Sequence, residues 1–306
     1  MTVREGIRPV RPIGLPNGRA GKSHVGRWVS WVILAGIVVY LLNTLLNNPN
    51  IDLGTIGKNL VDPRILEGML GTIVLAVVSF IVASVLGVLL GYGRISSNPV
   101  VRTATWLYVW FFRSVPLIVL ILIFGNLALF LPNLGIGVPF TNISFFSVST
   151  NSVMVPMVAG AIALSLEQGS YLAEIVRSGV QSVPESQREA AASLGLSPFE
   201  IQRRVVLPQA ILVMIPPAGS SFVILLKSTS LVYAIAGTEL LGRAEQIASE
   251  NYRTMELLFV ASVWYLVLTS IASLGQRYLE RRFSAYRRRV VGTETTAIEL
   301  PAASEI

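Results

Sequence analysis

Covalent chemistry finds few candidates in this chain. Cysteine is absent and His24 is the single histidine. Thiolate nucleophiles, disulfides, thiolate or imidazole metal clusters and a Ser-His-Asp triad are therefore excluded. No Gly-x-x-x-x-Gly-Lys-Ser/Thr run is present to cradle a nucleotide phosphate. The polar residues that remain suit recognition rather than bond breaking. Glu167 and Gln168, with Tyr171 a turn later, interrupt an apolar stretch. A charged group at that depth in a membrane costs about 2.5 to 3.5 kcal/mol, which makes it a functional candidate by default. Lys227-Ser228-Thr229-Ser230 follows a second apolar stretch and offers one cation and three hydroxyls; these suit either a solute carboxylate or an ordinary capped turn.

Glu167 has two readings. Gly160, Leu164, Glu167, Tyr171 and Glu174 recur at three- and four-residue spacing and so share one helical face, beside a small-residue stripe of Ser165, Gly169 and Ala173 suited to close packing. On that face Glu167 and Gln168 line a central cavity and meet a solute's amino group or side chain. Alternatively, Glu167 pairs with Arg113 or stays protonated between helices. Arg113 itself is read first as a residue snorkelling to the cytoplasmic boundary, ahead of a gating or substrate role.

The elements that hold these residues are membrane helices. The 306 residues are 53% hydrophobic and only 13% charged, with mean hydropathy +0.65, whereas a soluble domain is about a quarter charged. Six apolar segments are long enough to span: 28–46, 69–92, 105–130, 153–176, 211–226 and 256–276. The third contains Arg113, and the fifth is short and interrupted by Pro216, Pro217 and Gly219. Placing the amino terminus inside puts eighteen of the 24 basic residues on the cytoplasmic side, including both termini. The net charge of +7 is thus read as a topology signal, with no nucleic-acid partner. The first apolar stretch is too long for a secretory signal core and lacks an A-x-A-like cleavage site, so it is expected to remain as a span. Residues 1–27 form a basic cytoplasmic tail, 28–66 the first span and an external loop, and 284–306 a cytoplasmic tail; both tails lack apolar periodicity and are expected to be mobile. Outside, residues 238–256 are amphipathic, with Leu240, Leu241, Ala244 and Ile247 at helical spacing.

Residues 177–210 are too polar to span and too patterned to be a linker. Pro184 suits a first helical turn, 185–194 is rich in helix formers, and Gly195 is placed to end that helix in a left-handed conformation. Ser197-Pro198-Phe199-Glu200 has the form of a capping box opening a second short helix, expected to run to about Val206, before Pro208. The pair makes a cytoplasmic knob with Ala190, Ala191, Leu194 and Phe199 available to fill a groove on another protein.

The spacing Glu189-Ala190-Ala191, three residues, Gly195, nine residues, Val205-Val206-Leu207-Pro208 resembles the E-A-A, three, G, nine, I-x-L-P loop of permease subunits of bacterial ABC importers, with Val205 in place of Ile. The runs SYLAEIVRSGVQSVPESQREAAASLG (170–195), FFRSVPLIVL (111–120), LLKSTSLVYAIAGTELL (225–241) and WYLVLT (264–269) resemble the polar amino-acid uptake group. The likeness covers residues 67–283. It departs where Ser114 and Val115 replace Gly and Thr after Arg113, where Ser228 replaces an Asp, and at Glu167, where a small or amide residue is usual; that carboxylate points to a cationic solute.

The resemblance implies an all-α integral membrane protein of the bacterial inner membrane, with six spans, both termini inside, and loop 177–210 coupling it to a partner. It implies no catalytic residue in this chain: ATP and Mg sit on a separate ATP-binding subunit dimer, which docks on Glu189, Ala190, Ala191, Gly195, Val205, Leu207 and Pro208. An external solute-binding protein delivers an amino acid; Glu239, Arg243, Glu245, Glu250 and Arg253 are read first as the solvated side of a helix packed on its own subunit, and otherwise as rim charges toward that protein. A second permease subunit, identical or related, completes the pathway. An ATP-independent secondary transporter or channel for a small polar solute is the competing reading; it needs no coupling loop.

Overall fold

The computed structural model describes residues 25–48, 51–137 and 144–291. The tails at 1–24 and 292–306, and His24 with them, lie outside the described residues. Two units are distinct, 1–51 and 52–306. The first contains helix α1 (Val25–Leu46), apolar from Trp28 to Tyr40.

The second unit is almost entirely helical. Asp52 accepts from Gly54 N (2.8 Å) and Thr55 Oγ1 (2.7 Å), opening α2 (Leu53–Leu60). Asp62, followed by Pro63 in the first turn, likewise caps α3 (Pro63–Arg94). Asn98 caps α4 (Pro99–Ser114), which meets α5 (Leu117–Gly125) at a bend of 98°. The bend falls at Val115, which lies extended before Pro116, as the proline ring requires of its neighbour. The expected third span is therefore a broken one, and Arg113 ends its first half. An antiparallel hairpin follows, β1 (Asn133–Gly137) with β2 (Ser144–Ser149), paired from Asn133 with Ser149 and irregular between Ile136 and Gly137. The sequence reading had no strands here. Short α6 (Thr150–Val153) leads into α7 (Pro156–Gln181).

Beyond α7, α8 (Glu185–Ser193) and α9 (Pro198–Ile201) form the knob expected between the fourth and fifth spans. The second helix does not stop before Pro208. A π-turn over Gln202–Val206 carries the chain into α10 (Leu207–Ser228), with Leu207 N donating to Gln202 O. This wider turn absorbs the amide that Pro208 lacks, so the proline opens α10 rather than ending α9. The helix also continues through Pro216 and Pro217. Their missing amides leave the carbonyls of Leu212 and Val213 without a ladder donor. A 3₁₀ stretch (Thr229–Ile235) precedes α11 (Leu240–Asn251) and α12 (Thr254–Val291). The last helix passes the expected tail boundary at 284 by eight residues.

Among the described residues, α3, the continuous run Pro198–Ile235 and Thr254–Phe283 are long and apolar enough to cross a membrane, and the bent pair α4 and α5 makes a fourth. Helix α7, expected as a span, is more polar, yet 13 of its 26 residues are buried. A helix carrying Glu167, Gln168 and Ser170 can sit at membrane depth only with protein around it, and α7 packs against α3, α4, α5 and α10. The approach of α3 to α7 depends on glycine: a Cβ on Gly91 would lie 2.9 Å from Ala173 O, and one on Gly87 2.5 Å from Leu172 Cβ. The small stripe of α7 serves the same contact, with Gly169 against Leu86 and Ala173 fully buried.

Apolar clusters fix the arrangement. Leu75, Leu117, Ile121, Leu164, Leu225 and Val232 bind α3, α5, α7 and α10 centrally. Val176, Val180, Val183, Val206 and Ala210 close the end bearing the knob. Ile65, Leu240, Ile247, Leu257 and Val260 seat α11 between α3 and α12 at the other end.

Candidate functional site

One turn of α7 and two of α10 enclose a cavity of about 200 Å³, lined by Glu167, Gln168, Tyr171, Ser221, Ile224 and Ser228. The carboxylate of Glu167 makes no hydrogen bond or ion pair among the described residues. Gln168 is 4% exposed, and its Nε2 is buried with no partner. A buried amide is nearly always satisfied, so an orphaned one that faces a cavity marks a place for a ligand acceptor. Arg113 does not pair with Glu167; its guanidinium lies over the Tyr171 ring, 5.2 Å from the centroid. The site thus holds a carboxylate and a free amide donor on one wall, hydroxyls on the other, and an aromatic ring capped by a cation at its edge. A larger groove of about 420 Å³ runs between α3 and α7, but Val74, Val78, Val82, Met157 and Ile162 make it apolar, with nothing to orient a polar solute.

Of the seven residues expected along a solute path, Glu167, Gln168, Tyr171 and Ser228 come together. The other three do not join them. Lys227 is exposed elsewhere on α10, Thr229 is fully buried and donates to Leu226 O (2.8 Å), and Ser230 donates to Lys227 O (2.8 Å). Ser221 and Ile224 escaped the sequence reading, although with Ser228 they stand at three- and seven-residue spacing on one helical face.

The face of α7 shared with Glu167 divides by depth. Gly160 abuts Val232 and Leu164 joins the central core, whereas Glu174 turns to Arg177 and Arg94.

The knob is built as its spacing dictates. Gly195 has φ +80°, Leu196 N donates to Ala191 O (3.3 Å) and Gly195 N to Ala192 O (2.9 Å), a left-handed helix stop that no β-carbon disfavours. Ser197 and Glu200 form the reciprocal capping box. Glu189, Ala190, Leu194 and Phe199 are exposed, Leu194 by 82% and Phe199 by 72%. Ala191 is not available to a groove: at 5% exposure it packs inside the knob, because three consecutive alanines on a helix cannot all face outward. Val205 and Leu207 are half-buried and Pro208 is exposed. Arg188 reaches back to Val180 O (2.6 Å), Gln209 Nε2 donates to Gln187 Oε1 (2.6 Å), and Gln202 Nε2 donates to Tyr92 Oη (2.7 Å). The knob is therefore tied to the ends of α3, α7 and α10.

At the opposite end, α11 packs on its own chain through Leu240, Ala244 and Ile247, and Leu241 is half-buried. Glu239 is not a rim charge. It is fully buried, accepts from Leu241 N (2.7 Å), Gly242 N (2.8 Å) and Tyr265 Oη (3.0 Å), and so caps α11. Burial pushes its carboxyl up to about 7, outweighing those three donors. Arg243 turns toward Glu67 (3.5 Å) and Gln246 (3.1 Å), and Glu250 pairs with Arg64 at 2.8 Å.

Comparison with known proteins follows the same lines. Residues 83–285 match the family described as binding-protein-dependent transport system inner membrane component. The arginine transport system permease protein ArgU of Corynebacterium glutamicum is 40% identical over 261 residues, covering 85% of this chain and 81% of that protein. The glutamine transport system permease protein GlnP of Escherichia coli is 31% identical, covering 72% and 93%. A crystal structure of an amino acid ABC transporter with histidines superposes with TM-score 0.64 at 28% identity, over 76% of this chain and 99% of that one. The helices, the knob and these relatives together establish that the chain belongs to the family of binding-protein-dependent transport system inner membrane components, as a multi-pass permease of the ABC importer type.

Proposed function

We propose that this chain is the membrane-spanning subunit of an ATP-driven importer that carries a polar amino acid, with a bias toward cationic ones, across the bacterial inner membrane by alternating access. The single observation that carries the solute reading is the cavity between α7 and α10, where the unpaired Glu167 carboxylate stands beside the orphaned Gln168 amide. A carboxylate matches an ammonium or guanidinium, and an amide donor matches a carboxylate. An amino acid with a basic side chain presents both. Among the relatives, the arginine permease fits that class and the glutamine permease the wider class of polar amino acids.

The energy comes from outside the chain, which has no phosphate-binding loop. A dimer of ATP-binding subunits, holding ATP and Mg, docks on the knob: Leu194 and Phe199 supply the exposed apolar surface, Glu189 a free carboxylate, and Gly195 the turn. Ala191 shapes the knob from within, and Val205, Leu207 and Pro208 join it to α10. Two permease chains enclose one pathway, an external binding protein delivers the solute, and six spans with both termini inside remain the proposed topology. No residue of this chain is catalytic.

The test is energised uptake of labelled arginine, glutamine, glutamate and cystine in cells lacking the gene, complemented with wild type or Glu167→Gln. Restoration of a cationic amino acid by wild type but not by Glu167→Gln is expected. Equal restoration of a neutral or acidic amino acid by both would make Glu167 structural and leave specificity to the binding protein.

A further inference from the structure

A second polar pocket, of about 300 Å³, opens where the end of α3, the start of α4 and the end of α7 meet, and the transport reading makes no use of it. Arg94, Arg102, Thr103, Trp106, Arg177 and Gln181 line it. Three guanidinium groups from three helices converge there with one carboxylate. Glu174 Oε2 lies 3.7 Å from Arg94 Nη2, and Arg177 Nε donates to Glu174 Oε1 at 2.9 Å. The cluster keeps two uncompensated positive charges. Arg94 Nε is buried with no hydrogen-bond partner, and Arg102 is exposed with no side-chain partner among the described residues. A buried guanidinium donor left open beside two further arginines calls for an anion with several acceptor oxygens.

The flank of the pocket says which anion. Trp106 stacks on Trp110 with ring centroids 6.2 Å apart, and both are about half exposed, with Leu107 and Phe111 exposed beside them on α4. A soluble phosphate has no use for that apolar aromatic surface. A lipid does: indole rings sit at the headgroup level, and acyl chains run along apolar helix faces below it. By the distribution of basic residues these helix ends lie on the cytoplasmic side, where anionic lipids gather and where basic pockets between helices take their headgroups. We infer that this pocket binds the phosphate of an anionic phospholipid, held by Arg94, Arg102 and Arg177, with Trp106 and Trp110 along its acyl chains. Because Arg177 also bonds Gln181, four residues before α8 begins, a lipid seated here braces the root of the coupling segment.

The test uses the full chain in detergent, offered equal amounts of phosphatidylglycerol and phosphatidylcholine, with bound lipid counted by native mass spectrometry. Phosphatidylglycerol is expected to be retained in preference. Arg102→Gln should reduce that preference about fivefold, the scale of one basic residue at a membrane surface, and Arg94→Gln combined with it should abolish it. Arg94 is ion-paired and its loss risks the fold, so exposed Arg102 carries the test alone. Arg203→Gln, an exposed cation on the knob, should leave the preference unchanged. Equal retention of both lipids, an undiminished preference in Arg102→Gln, or an equal fall in Arg203→Gln would overturn the inference. So would displacement of the lipid by excess inorganic phosphate, which would mark a site for a soluble anion.

Discussion

Replacing Gln168 by Leu separates a solute contact from a structural role. Its Nε2 is buried without a partner, so an apolar side chain of similar shape removes a desolvated donor at no loss, and thermal stability should hold or rise. A solute carboxylate that meets this amide would lose one charge-assisted hydrogen bond, so KM for uptake should rise about tenfold. An unchanged KM would remove Gln168 from the pathway. Several single residues were legible in the sequence because their roles are local. Gly195 follows a run of helix formers and needs only its own φ, and Ser197 to Glu200 needs only its own turn. Ala191 and Glu239 were not, because what they face is decided by helices distant in sequence. A carboxylate in a polar stretch reads as solvated until Tyr265 and Thr72, 26 residues on and 167 back, are found beside the start of α11.

At the scale of elements, the α3 and α7 contact and the seat of α11 each make a test. Gly91→Leu places atoms within 2.9 Å of Ala173 O; the two helices must part, and a loss of roughly 2 kcal/mol or more is expected, read as a lower thermal midpoint in detergent. Gly275→Ala, where nothing lies within 4 Å, should instead raise the midpoint slightly, because alanine is the better helix former. The Glu239 carboxyl is raised to about 7 from the range near 4.5 it has in an unfolded chain. Between those values the folded protein holds a proton that the unfolded chain has released, so this group's contribution is full below about pH 4.5 and is lost as pH rises through 7. The thermal midpoint should fall over that window, and Glu239→Ala should flatten that slope and lower the midpoint at the acid end, where a cap loss of about 1 to 2 kcal/mol applies in full. A slope unchanged by that substitution would contradict the assignment. Apolar length made the long helices visible in the sequence. The π-turn that carries α9 past Pro208 was not, since proline alone reads as a stop, and neither was the β1 and β2 hairpin. The break at Val115 was half visible: Arg113 warned that the third segment was no uniform span, and Pro116 fixed where it bends.

For the molecule as a whole, the charge distribution and the knob spacing pointed to a membrane permease, and the family match over residues 83–285 agrees. The cavity could be foreseen only in part, because it forms where α7 meets α10 and no periodicity states which faces of two helices will meet. The knob is joined to α3, α7 and α10 by Tyr92 with Gln202, Val180 with Arg188, and Gln187 with Gln209, so a partner that moves it moves the walls of that cavity. In the proposed mechanism this movement drives uptake. Its most direct measurement is energised amino-acid uptake in cells carrying Gly195→Asp, with membrane insertion confirmed in parallel. The left-handed φ of +80° disfavours an aspartate there, and its carboxylate would crowd the proposed docking face, so uptake should vanish while the protein still inserts at the wild-type level. Normal uptake by that variant would contradict the account.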